Sequence, residues 1–544
     1  MDKDKPLKEL LDSVRDIDGF PIGDDKDILE LSDPPYYTAC PNPYINDFIE
    51  EHGTPYVSEN DDYDQEPFVG DVSEGKNDPV YNAHSYHTKV PYKAINKFIE
   101  HYTKKGDIVF DGFCGSGMTG IAAQTLNRNV ILSELSSAAA FISYNYNNKI
   151  KKLDFRKKVN TLINEVKSEF GWMYKTEHVD NGNGKINYTI WSEILICPYC
   201  DCEYSFWEAA VNKKKGAVKD NYKCPKCSAT INKRDSKRSW VTFYDSTIDK
   251  EVKQVKQKPV LINYTYKKER FEKKPDQKDF ELIKKIRNSE IPYWYPTNKI
   301  PKGDKTPEAI KMGITNIHHY YTKRNLWILS SLWDKAKKLK NNNNLMKFLI
   351  SSYNMNNYKF IKRIKFKKNN SKPVLTSCQT GTIYISSLPV EKNIINGIKS
   401  KIRTMTKMLD KHYNNYIISN QSLTDLENIK PNSIDYIFTD PPFGANLMYS
   451  ELNFIWESWL KVFTNNKEEA VISKFQNKNL DDYKNLIQLC FKKMLKILKP
   501  NRWMTVVFHN SKSSVWNAIQ EAITQSGFII GQVAVLDKKQ GSFN

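Results

Sequence analysis

Four residues at 440–443, Asp-Pro-Pro-Phe, follow the apolar run 434–438. The run predicts a buried strand, and the prolines Pro441 and Pro442 predict a rigid, extended turn directly after it. Such a turn presents the Asp440 carboxylate and the Pro441 carbonyl together. Because both groups accept hydrogen bonds, they can hold the two N–H bonds of an exocyclic amine and turn its nitrogen lone pair toward an electrophile. The Phe443 ring offers a flat face for an extruded base.

A second candidate site is the glycine-rich stretch 111–120, DGFCGSGMTG, which follows one predicted strand and precedes a helix. Asp111 ends that strand, where open α/β sheets bind ligands, and the glycines allow the backbone to approach the ligand closely. The spacing is neither GxGxxG nor a loop that ends in GK[ST], so it favours a nucleoside without a phosphate chain. Glu134 ends the next predicted strand, where its carboxylate can accept hydrogen bonds from both ribose hydroxyls. A helix cap is the alternative role for Glu134.

Nine cysteines do not indicate disulfides in a chain predicted to be cytoplasmic. Four of them, Cys197, Cys200, Cys224 and Cys227, form the pair CPYC and CPKC. Two such turns can close a tetrahedron of thiolates around a structural zinc ion, which replaces a hydrophobic core in a small ribbon. Cys202 can substitute for one of the four. Two unrelated reduced turns, or a redox pair, are the alternatives.

Charge is distributed unevenly along the chain. Residues 1–80 hold 6 Lys+Arg against 22 Asp+Glu, whereas residues 201–400 hold 43 against 18. A basic region of this size suits a polyanion, because each phosphate it neutralises releases condensed counterions. Codon drift toward Lys and Asn is the alternative, but drift alone would not spare the acidic first 80 residues. No long apolar run or apolar leader is present, so we expect no membrane contact.

Predicted strands and helices alternate in two separate parts of the chain, which predicts an α/β fold with a parallel sheet. The alternation runs from about residue 81 to 150 and resumes near 412, so one domain is predicted to be interrupted by a large insertion. The predicted strands of the second part include YIISNQS, SIDYIFTDPPF, RWMTVVFHN and FIIGQVAVLD. The predicted segments are an acidic arm (1–80), a cofactor-binding half (81–150), a connecting helical segment (151–190), a zinc ribbon (191–235), a basic target-recognition region (236–411) and a catalytic half (412–544).

These motifs together resemble those of the S-adenosylmethionine-dependent DNA amino-methyltransferases, the N6-adenine and N4-cytosine class. FCGSG at 113–117 is similar to the family's FxGxG cofactor motif, SEL at 133–135 to its acidic ribose motif, and DPPF at 440–443 to its [DNS]PP[YF] catalytic motif. The segment 84–95, HSYHTKVPYKAI, resembles the family motif that closes over the methionine end of the cofactor.

The resemblance covers roughly 81–150 and 412–536 and implies a Rossmann-like methyltransferase sheet. It also implies cofactor contacts from Phe113, Gly115, Gly117, His87 and Lys89, beside Asp111 and Glu134, and a catalytic turn made by Asp440, Pro441, Pro442 and Phe443. The cysteine-rich insertion resembles that of the zinc-ribbon-bearing, adenine-specific branch. Asp before the two prolines also favours adenine in the family's pattern.

A competing tetrapeptide, DPPY at 33–36, also fits the catalytic pattern. Residues 37–83 show no alternation of strands and helices behind it, whereas Asp440 is followed by a full set, so Asp440 is preferred over Asp33. Two basic stretches are further candidates for nucleic-acid contact. They are HHYYTKRNLWILSSLW (318–333), equally compatible with a core helix, and IKRIKFKK (361–368), equally compatible with a solvated hairpin. His509 is predicted to be structural.

The sequence thus predicts a DNA adenine N6-methyltransferase that acts on double-stranded DNA in the cytoplasm, with S-adenosylmethionine and a structural Zn²⁺. N4-cytosine methylation is the alternative within the class, and RNA or protein-glutamine methylation is less favoured. A zinc-dependent DNA-binding protein with an inactive or truncated fold is the alternative from another class. That alternative arises because the chain has no residues for a last antiparallel strand after FIIGQVAVLD. A restriction endonuclease or a companion chain that supplies the strand is an expected partner, and an inward shift of FIIGQVAVLD onto RWMTVVFHN is the other expectation.

Overall fold

The structure is a computed structural model that describes residues 5–149, 152–339, 343–354, 364–366, 373–375, 381–409 and 415–539. The chain divides into two compact units. Unit 1 combines Met1–Lys152 with Thr404–Asn544, and unit 2 is Leu153–Arg403. None of the helices in the described part of the chain is long and apolar enough to cross a membrane.

The helices are α1 (Leu7–Leu10), α2 (Asp25–Leu31), α3 (Ile45–His52), α4 (Tyr92–Tyr102), α5 (Met118–Thr125), α6 (Ser137–Asn147), α7 (Lys152–Phe170), α8 (Phe206–Ala210), α9 (Gln277–Asn288), α10 (Pro307–Ile310), α11 (Lys323–Lys337), α12 (Asn343–Asn354), α13 (Ile394–Met408), α14 (Tyr449–Leu460), α15 (Leu480–Ile497) and α16 (Ser513–Gln525). The strands are β1 (Tyr37–Thr38), β2 (Val72–Gly75), β3 (Ile108–Asp111), β4 (Asn129–Glu134), β5 (Lys175–Glu177), β6 (Asn183–Ile196), β7 (Glu203–Ser205), β8 (Val211–Asn212), β9 (Ala217–Val218), β10 (Asn221–Lys223), β11 (Thr230–Asn232), β12 (Lys237–Arg238), β13 (Trp240–Asp245), β14 (Lys250–Val255), β15 (Gln257–Tyr266), β16 (Glu269–Lys273), β17 (Ile364–Phe366), β18 (Pro373–Leu375), β19 (Val390–Lys392), β20 (Tyr416–Asn420), β21 (Tyr436–Thr439), β22 (Met504–Val506) and β23 (Leu536–Lys539).

Unit 1 is built on a six-stranded sheet in the order β1-β20-β4-β3-β21-β22. Every neighbouring pair is parallel. From β3 the chain builds outward through β4 and β20, then crosses to the other side with β21 and β22. The order therefore reverses between β3 and β21, and a crevice opens at the carboxyl ends of the strands at such a switch point. This confirms the predicted α/β class and the parallel sheet.

The central strands β3 and β21 are mostly apolar because both of their faces are covered. All residues of β3 and of β21 are buried, as the continuous runs Ile-Val-Phe and Tyr-Ile-Phe predict. The acidic arm packs on this unit: β1 pairs with β20 at one edge of the sheet, and Leu7, Leu11 and Val14 are buried. The sixth strand of the sheet is therefore supplied by a segment predicted as an extended arm.

The prediction of a strand at FIIGQVAVLD is wrong over most of its length. Residues 528–535 have no regular structure, and β23 begins at Leu536. It pairs in parallel with β2 of the arm rather than with β22, so the predicted inward shift is not observed. Ile529 and Val533 are 92% and 76% exposed, which shows that the apolar pattern of this segment is not satisfied by the sheet.

Unit 2 is dominated by antiparallel strands around the long strand β6, which pairs with β5, β7, β12, β15 and β19. The predicted helical segment 151–190 is helical only in its first half, since β6 starts at Asn183. The misassigned half, KINYTIW, is rich in β-branched and aromatic residues that pack on a pleated surface.

The stretch 318–333 belongs to the core of unit 2. Its side chains Leu326, Leu329 and Trp333 are buried, and buried Arg324 pairs with Glu391 at 3.1 Å. In the stretch 361–368, residues 364–366 form β17, which pairs with β18, and the remainder lies outside the described residues. The hypothesis of nucleic-acid contact at 318–333 is therefore not supported.

Candidate active site

A cavity opens at the switch point between β3 and β21. The predicted site residues that line it are Lys89, Asp111, Phe113, Gly115, Glu134, Asp440 and Pro442. The described residues of its lining do not include His87, Gly117, Pro441 or Phe443. Residues from four separate parts of unit 1 thus meet at one place, because the carboxyl ends of neighbouring parallel strands lie at the same edge of the sheet.

The glycine loop 112–117 turns from β3 into α5 through left-handed backbone at Gly115 (φ 51°) and Gly117 (φ 77°). A Cβ atom at Gly117 would lie 2.3 Å from Ser143 Oγ, so only glycine fits between the loop and α6. At Gly115 a Cβ would approach the Tyr86 ring at 3.2 Å. Gly117 therefore serves loop packing, and Gly115 leaves space at the wall of the cavity.

Two carboxyl groups are anchored beneath this loop. Asp111 accepts hydrogen bonds from Thr119 Oγ1 at 2.5 Å and from the Phe113 N–H at 3.1 Å. Glu134 accepts from the Gly115 N–H at 2.7 Å and from the Ser136 N–H at 3.0 Å. Both acceptors thereby fix the loop as well as facing the cavity.

Burial dominates the electrostatics of both groups. The pKa of Asp111 is raised to about 8, mainly by desolvation and also by the nearby charge of Asp440, against the opposing hydrogen bond from Thr119. Desolvation likewise raises the pKa of Glu134 to about 7, opposed by the N–H groups of Ser136 and Gly115. A cation bound beside these carboxyls would favour their ionised forms.

The turn after β21 is held in place by hydrogen bonds that its backbone carbonyl groups accept from other elements. Tyr483 of α15 donates its hydroxyl to the Pro442 carbonyl at 2.7 Å, and Asn510 Nδ2 donates to the Phe443 carbonyl at 2.9 Å. Phe443 is 7% exposed and meets Phe508 edge to face, with centroids 5.6 Å apart. His509 is exposed, so the buried neighbour Asn510 is the structural residue of this pair.

The competing tetrapeptide lies in a different place. Asp33 precedes β1, so it lies at the amino end of the parallel sheet, whereas Asp440 follows β21 at the carboxyl end. Asp33 accepts a hydrogen bond from the Tyr144 hydroxyl at 2.5 Å. Of the described residues that line the cavity, none comes from 33–36. The strand direction therefore favours Asp440 over Asp33.

His87 and Lys89 occupy the segment before α4 in different ways. His87 Nε2 lies 3.0 Å from Asn453 Oδ1, and burial lowers the pKa of His87 to about 4, so the imidazole is neutral. Asn453 donates onward to Ser136 Oγ at 2.8 Å. Lys89 Nζ donates to the carbonyl oxygens of His84 (2.8 Å) and Tyr81. His87 thus ties this segment to the loop after β4.

Sequence reasoning missed this supporting network. Ser136 Oγ also donates to Glu457 at 3.0 Å, and burial raises the pKa of Glu457 to about 7. Asn453 and Glu457 lie four residues apart on α14, which follows the DPPF turn, and that polar pair on an apolar helix is the signal that could have identified them.

The cavity is acidic. Its described lining includes the carboxylic acids Asp111, Glu134, Asp440, Glu468 and Glu469, with Lys89 as its one lysine and no arginine. Such a lining suits a positively charged ligand and disfavours a phosphate chain.

The four cysteines converge in unit 2. The Sγ atoms of Cys197, Cys200, Cys224 and Cys227 all lie within 4.8 Å of one another. The pairs Cys197–Cys227 and Cys200–Cys224 are each 3.8 Å apart, which is about the edge of a tetrahedron with Zn–S bonds of about 2.3 Å. Cys202 is close to two of them, 3.3 Å from Cys200 and 3.5 Å from Cys224, but is not a member of the mutually close group.

A second cluster in unit 2 brings Asp245, His318 and His319 together. Nε2 of each histidine lies within 2.9 Å of Asp245 Oδ2. The backbone N–H groups of Thr315 and Asn316 point at Nδ1 of His319, so this nitrogen is the acceptor and Nε2 carries the proton. A protonated Nε2 cannot bind a metal, and the cluster is better described as a hydrogen-bonded carboxylate.

The fold and the cavity define an α/β protein with a ligand site at the switch point of a parallel sheet. Residues 50–157, which include the glycine loop and Glu134 but not the DPPF turn, match the family model described as N6_N4_Mtase, DNA methylase. The match supports the amino-methyltransferase family for this part of the chain. A search of curated proteins and a search of solved structures each return no significant match.

Proposed function

We propose that this chain is a DNA methyltransferase that transfers a methyl group to the N6 amine of an adenine taken out of the duplex. The observation that carries the proposal is the opening of Asp440, Asp111 and Glu134 into one cavity. The match of residues 50–157 to a DNA methylase family supports the reaction class. The preference for adenine over cytosine rests on Asp440 preceding the two prolines.

Asp440 and the Pro441 carbonyl would accept the two hydrogens of the target amine. That arrangement turns the nitrogen lone pair toward the glycine loop, and the restrained turn of Pro441 and Pro442 keeps it there. Phe443 would support the base. The amine nitrogen would take the methyl group as the methyl group's bond to the donor breaks, and the amine proton would then leave to solvent or to Asp440.

The cavity fits S-adenosylmethionine as the methyl donor. When bound, this cofactor supplies a methyl group already activated on a positively charged sulfur. Glu134 would accept hydrogen bonds from the ribose hydroxyls, while Asp111, Phe113 and Gly115 would form other parts of the wall around the cofactor. The acidic lining suits the cationic cofactor, and His87, with Lys89, would hold the segment that closes over it.

We further propose that Cys197, Cys200, Cys224 and Cys227 bind one structural Zn²⁺. The close approach of the four sulfur atoms, all within 4.8 Å of one another, supports it. The second CxxC turn also presents a backbone N–H group to sulfur, since the Lys226 N–H donates to Cys224 Sγ at 3.5 Å. Double-stranded DNA, a cytoplasmic location and a restriction endonuclease or companion chain as partner remain predictions of the sequence.

The proposed function is tested by incubating the full chain with labelled S-adenosylmethionine and unmodified DNA. The DNA is then digested to nucleosides and analysed by mass spectrometry. N6-methyladenine is the expected product. N4-methylcytosine would correct the base assignment, and cofactor binding without a methylated product would favour an inactive methyltransferase fold.

A further inference from the structure

Unit 2 carries a basic groove beside the cysteine cluster. Its described lining consists of Leu195, Ile196, Lys233, Arg234, Ser236, Lys237, Arg238 and Trp240, and no acidic side chain is among them. Four basic side chains and the indole of Trp240, which is 40% exposed, thus share one open surface. The groove lies at the boundary between the predicted zinc ribbon and the basic region, and none of its described lining residues comes from 318–333 or 361–368.

The basic side chains differ in what they bind within the protein. Arg238 Nε lies 2.6 Å and Lys233 Nζ 3.5 Å from the carboxylate of Glu193, which is fully buried. Arg234 and Lys237 are exposed and form no ion pair with a described residue. Two cations therefore compensate a buried charge, and two remain available for an external anion.

The turn that presents these residues is preorganised. Asn232 Oδ1 accepts from the N–H groups of Arg234 at 2.8 Å and Asp235 at 3.0 Å. Ser236 Oγ donates to the Asn232 carbonyl and contacts the buried Tyr204 hydroxyl, both within 2.8 Å. A side-chain-capped turn of this kind holds its backbone in place before any ligand arrives, which lowers the cost of binding.

The second cysteine turn directly supports this arrangement. Cys224 and Cys227 lie between β10 and β11, which pair as a hairpin, and β11 ends at Asn232. The Ser228 N–H donates to the Cys224 carbonyl at 3.0 Å, which closes the cysteine turn. The hairpin thus links the cysteine site to the turn that carries the groove's free cations.

We infer that this groove binds the phosphate backbone of duplex DNA. The inference rests on the proposed function for the identity of the polyanion. Arg234 and Lys237 would each contact a phosphate, and Trp240, whose ring lies 5.5 Å from Lys253 Nζ, would pack on the sugar edge. Contacts of this kind anchor the enzyme irrespective of sequence, so the groove would set affinity rather than target choice.

The test compares two charge-matched double variants of the full chain. Arg234→Gln with Lys237→Gln removes the free cations of the groove, and Lys284→Gln with Lys302→Gln removes two exposed lysines of unit 2 outside it. Arg238 and Lys233 are left intact because their loss would leave Glu193 buried and unpaired. Binding of a labelled mixed-sequence duplex is measured by fluorescence anisotropy over a range of salt concentrations, without cofactor.

Each lost phosphate contact should reduce the slope of log K against log salt by about 0.9. We expect the groove variant to lose about two units of slope and to bind roughly 10-fold or more weakly at low salt, with the control unchanged. An equal loss of affinity in both variants would show that only the net charge matters, which would overturn the inference. No loss of affinity in either variant would overturn it as well. Stronger competition by RNA than by duplex DNA would overturn the choice of polyanion.

Failure of this inference is distinguishable from failure of the proposed function. Binding is measured directly, without methyl transfer. If the protein binds duplex DNA through the groove but makes no methylated base, the inference about the groove stands and the proposed function fails. If the protein methylates DNA and both variants bind duplex DNA normally, the proposed function stands and the inference about the groove fails. Equal melting temperatures of the two variants exclude misfolding as the cause.

Discussion

At the scale of single residues, the two copies of the Asp-Pro-Pro motif illustrate how position decides chemistry. Asp440 follows a buried strand and faces the cavity, whereas Asp33 precedes a strand and accepts a hydrogen bond from Tyr144. The same short sequence therefore makes a turn that faces a cavity in one place and a turn that packs against Tyr144 in the other.

We expect Asp440→Ala to abolish methyl transfer while leaving cofactor affinity within a few-fold, because Asp440 would hold the base and the glycine loop the cofactor. Asp33→Ala should retain substantial activity, although loss of the Tyr144 hydrogen bond will cost about 1 kcal/mol of stability. Methylation rates, cofactor titration and thermal unfolding of both variants check this. The opposite pattern of activities would assign the catalytic role to residues 33–36.

Asp111 should make stability depend on pH. Its pKa is raised to about 8 in the folded protein, so between about pH 4 and 8 the folded state binds more protons than the unfolded state. Stability should therefore fall as the pH rises through this window, by at most about 1.4 kcal/mol per pH unit from this group. Asp111→Asn should flatten the dependence, as measured by urea unfolding of the cofactor-free protein at several pH values. An unchanged slope would mean that Asp111 is ionised throughout.

At the scale of elements, the turn at residues 440–443 depends on residues far from it in sequence. Helix α15 supplies Tyr483, and the segment after β22 supplies Asn510, so two separate elements fix the carbonyls of the turn. Each hydrogen bond to a buried carbonyl is worth about 0.5–1.5 kcal/mol. Their combined effect is to restrain the backbone of the turn at Pro442 and Phe443.

Tyr483→Phe should lower kcat by roughly 10-fold with little change in cofactor affinity, because it removes the donor to the Pro442 carbonyl and nothing that lines the cavity. The matched control is Tyr436→Phe, which deletes a hydroxyl that bonds Thr505 at the opposite end of β21. Steady-state kinetics and cofactor titration distinguish the two. Equal loss of kcat in both variants would indicate general loosening of the sheet.

At the scale of the whole molecule, the two units have different sources of stability. Unit 1 has an apolar core on both faces of its sheet, whereas the cysteine region of unit 2 is small and is proposed to need a metal. The core cluster around the thiols includes Leu195, Tyr204, Trp207 and Tyr222. Metal removal should therefore affect one unit selectively.

We expect one zinc ion per chain in the purified protein, lost in Cys224→Ser and retained in Cys202→Ser, because Cys202 is not a member of the mutually close group. Chelation should weaken duplex binding, since the hairpin of β10 and β11 carries the groove turn, while cofactor still binds to unit 1. Elemental analysis, thiol titration and cofactor titration check these outcomes. Absence of zinc with all four thiols freely reactive would refute the metal site.

The sequence by itself determined the local features. The buried runs of β3 and β21 and the glycine loop follow from apolar periodicity and from glycine and proline chemistry, which act over a few residues. The family resemblance of 81–150 is likewise supported by the match to residues 50–157. Because these properties depend on neighbouring residues, they can be predicted without knowing which distant residues are in contact.

Only the tertiary structure decided which distant segments meet. It brought β1 from the acidic arm to the edge of the sheet, diverted 528–539 to β2, and placed 318–333 in a core rather than on a surface. It also gave Asn453, Glu457 and Tyr483 their supporting roles. The physical reason is that burial and pairing energy depends on which surfaces are available across the whole chain, and an apolar or basic stretch carries the same local pattern whether it faces a core, a ligand or solvent.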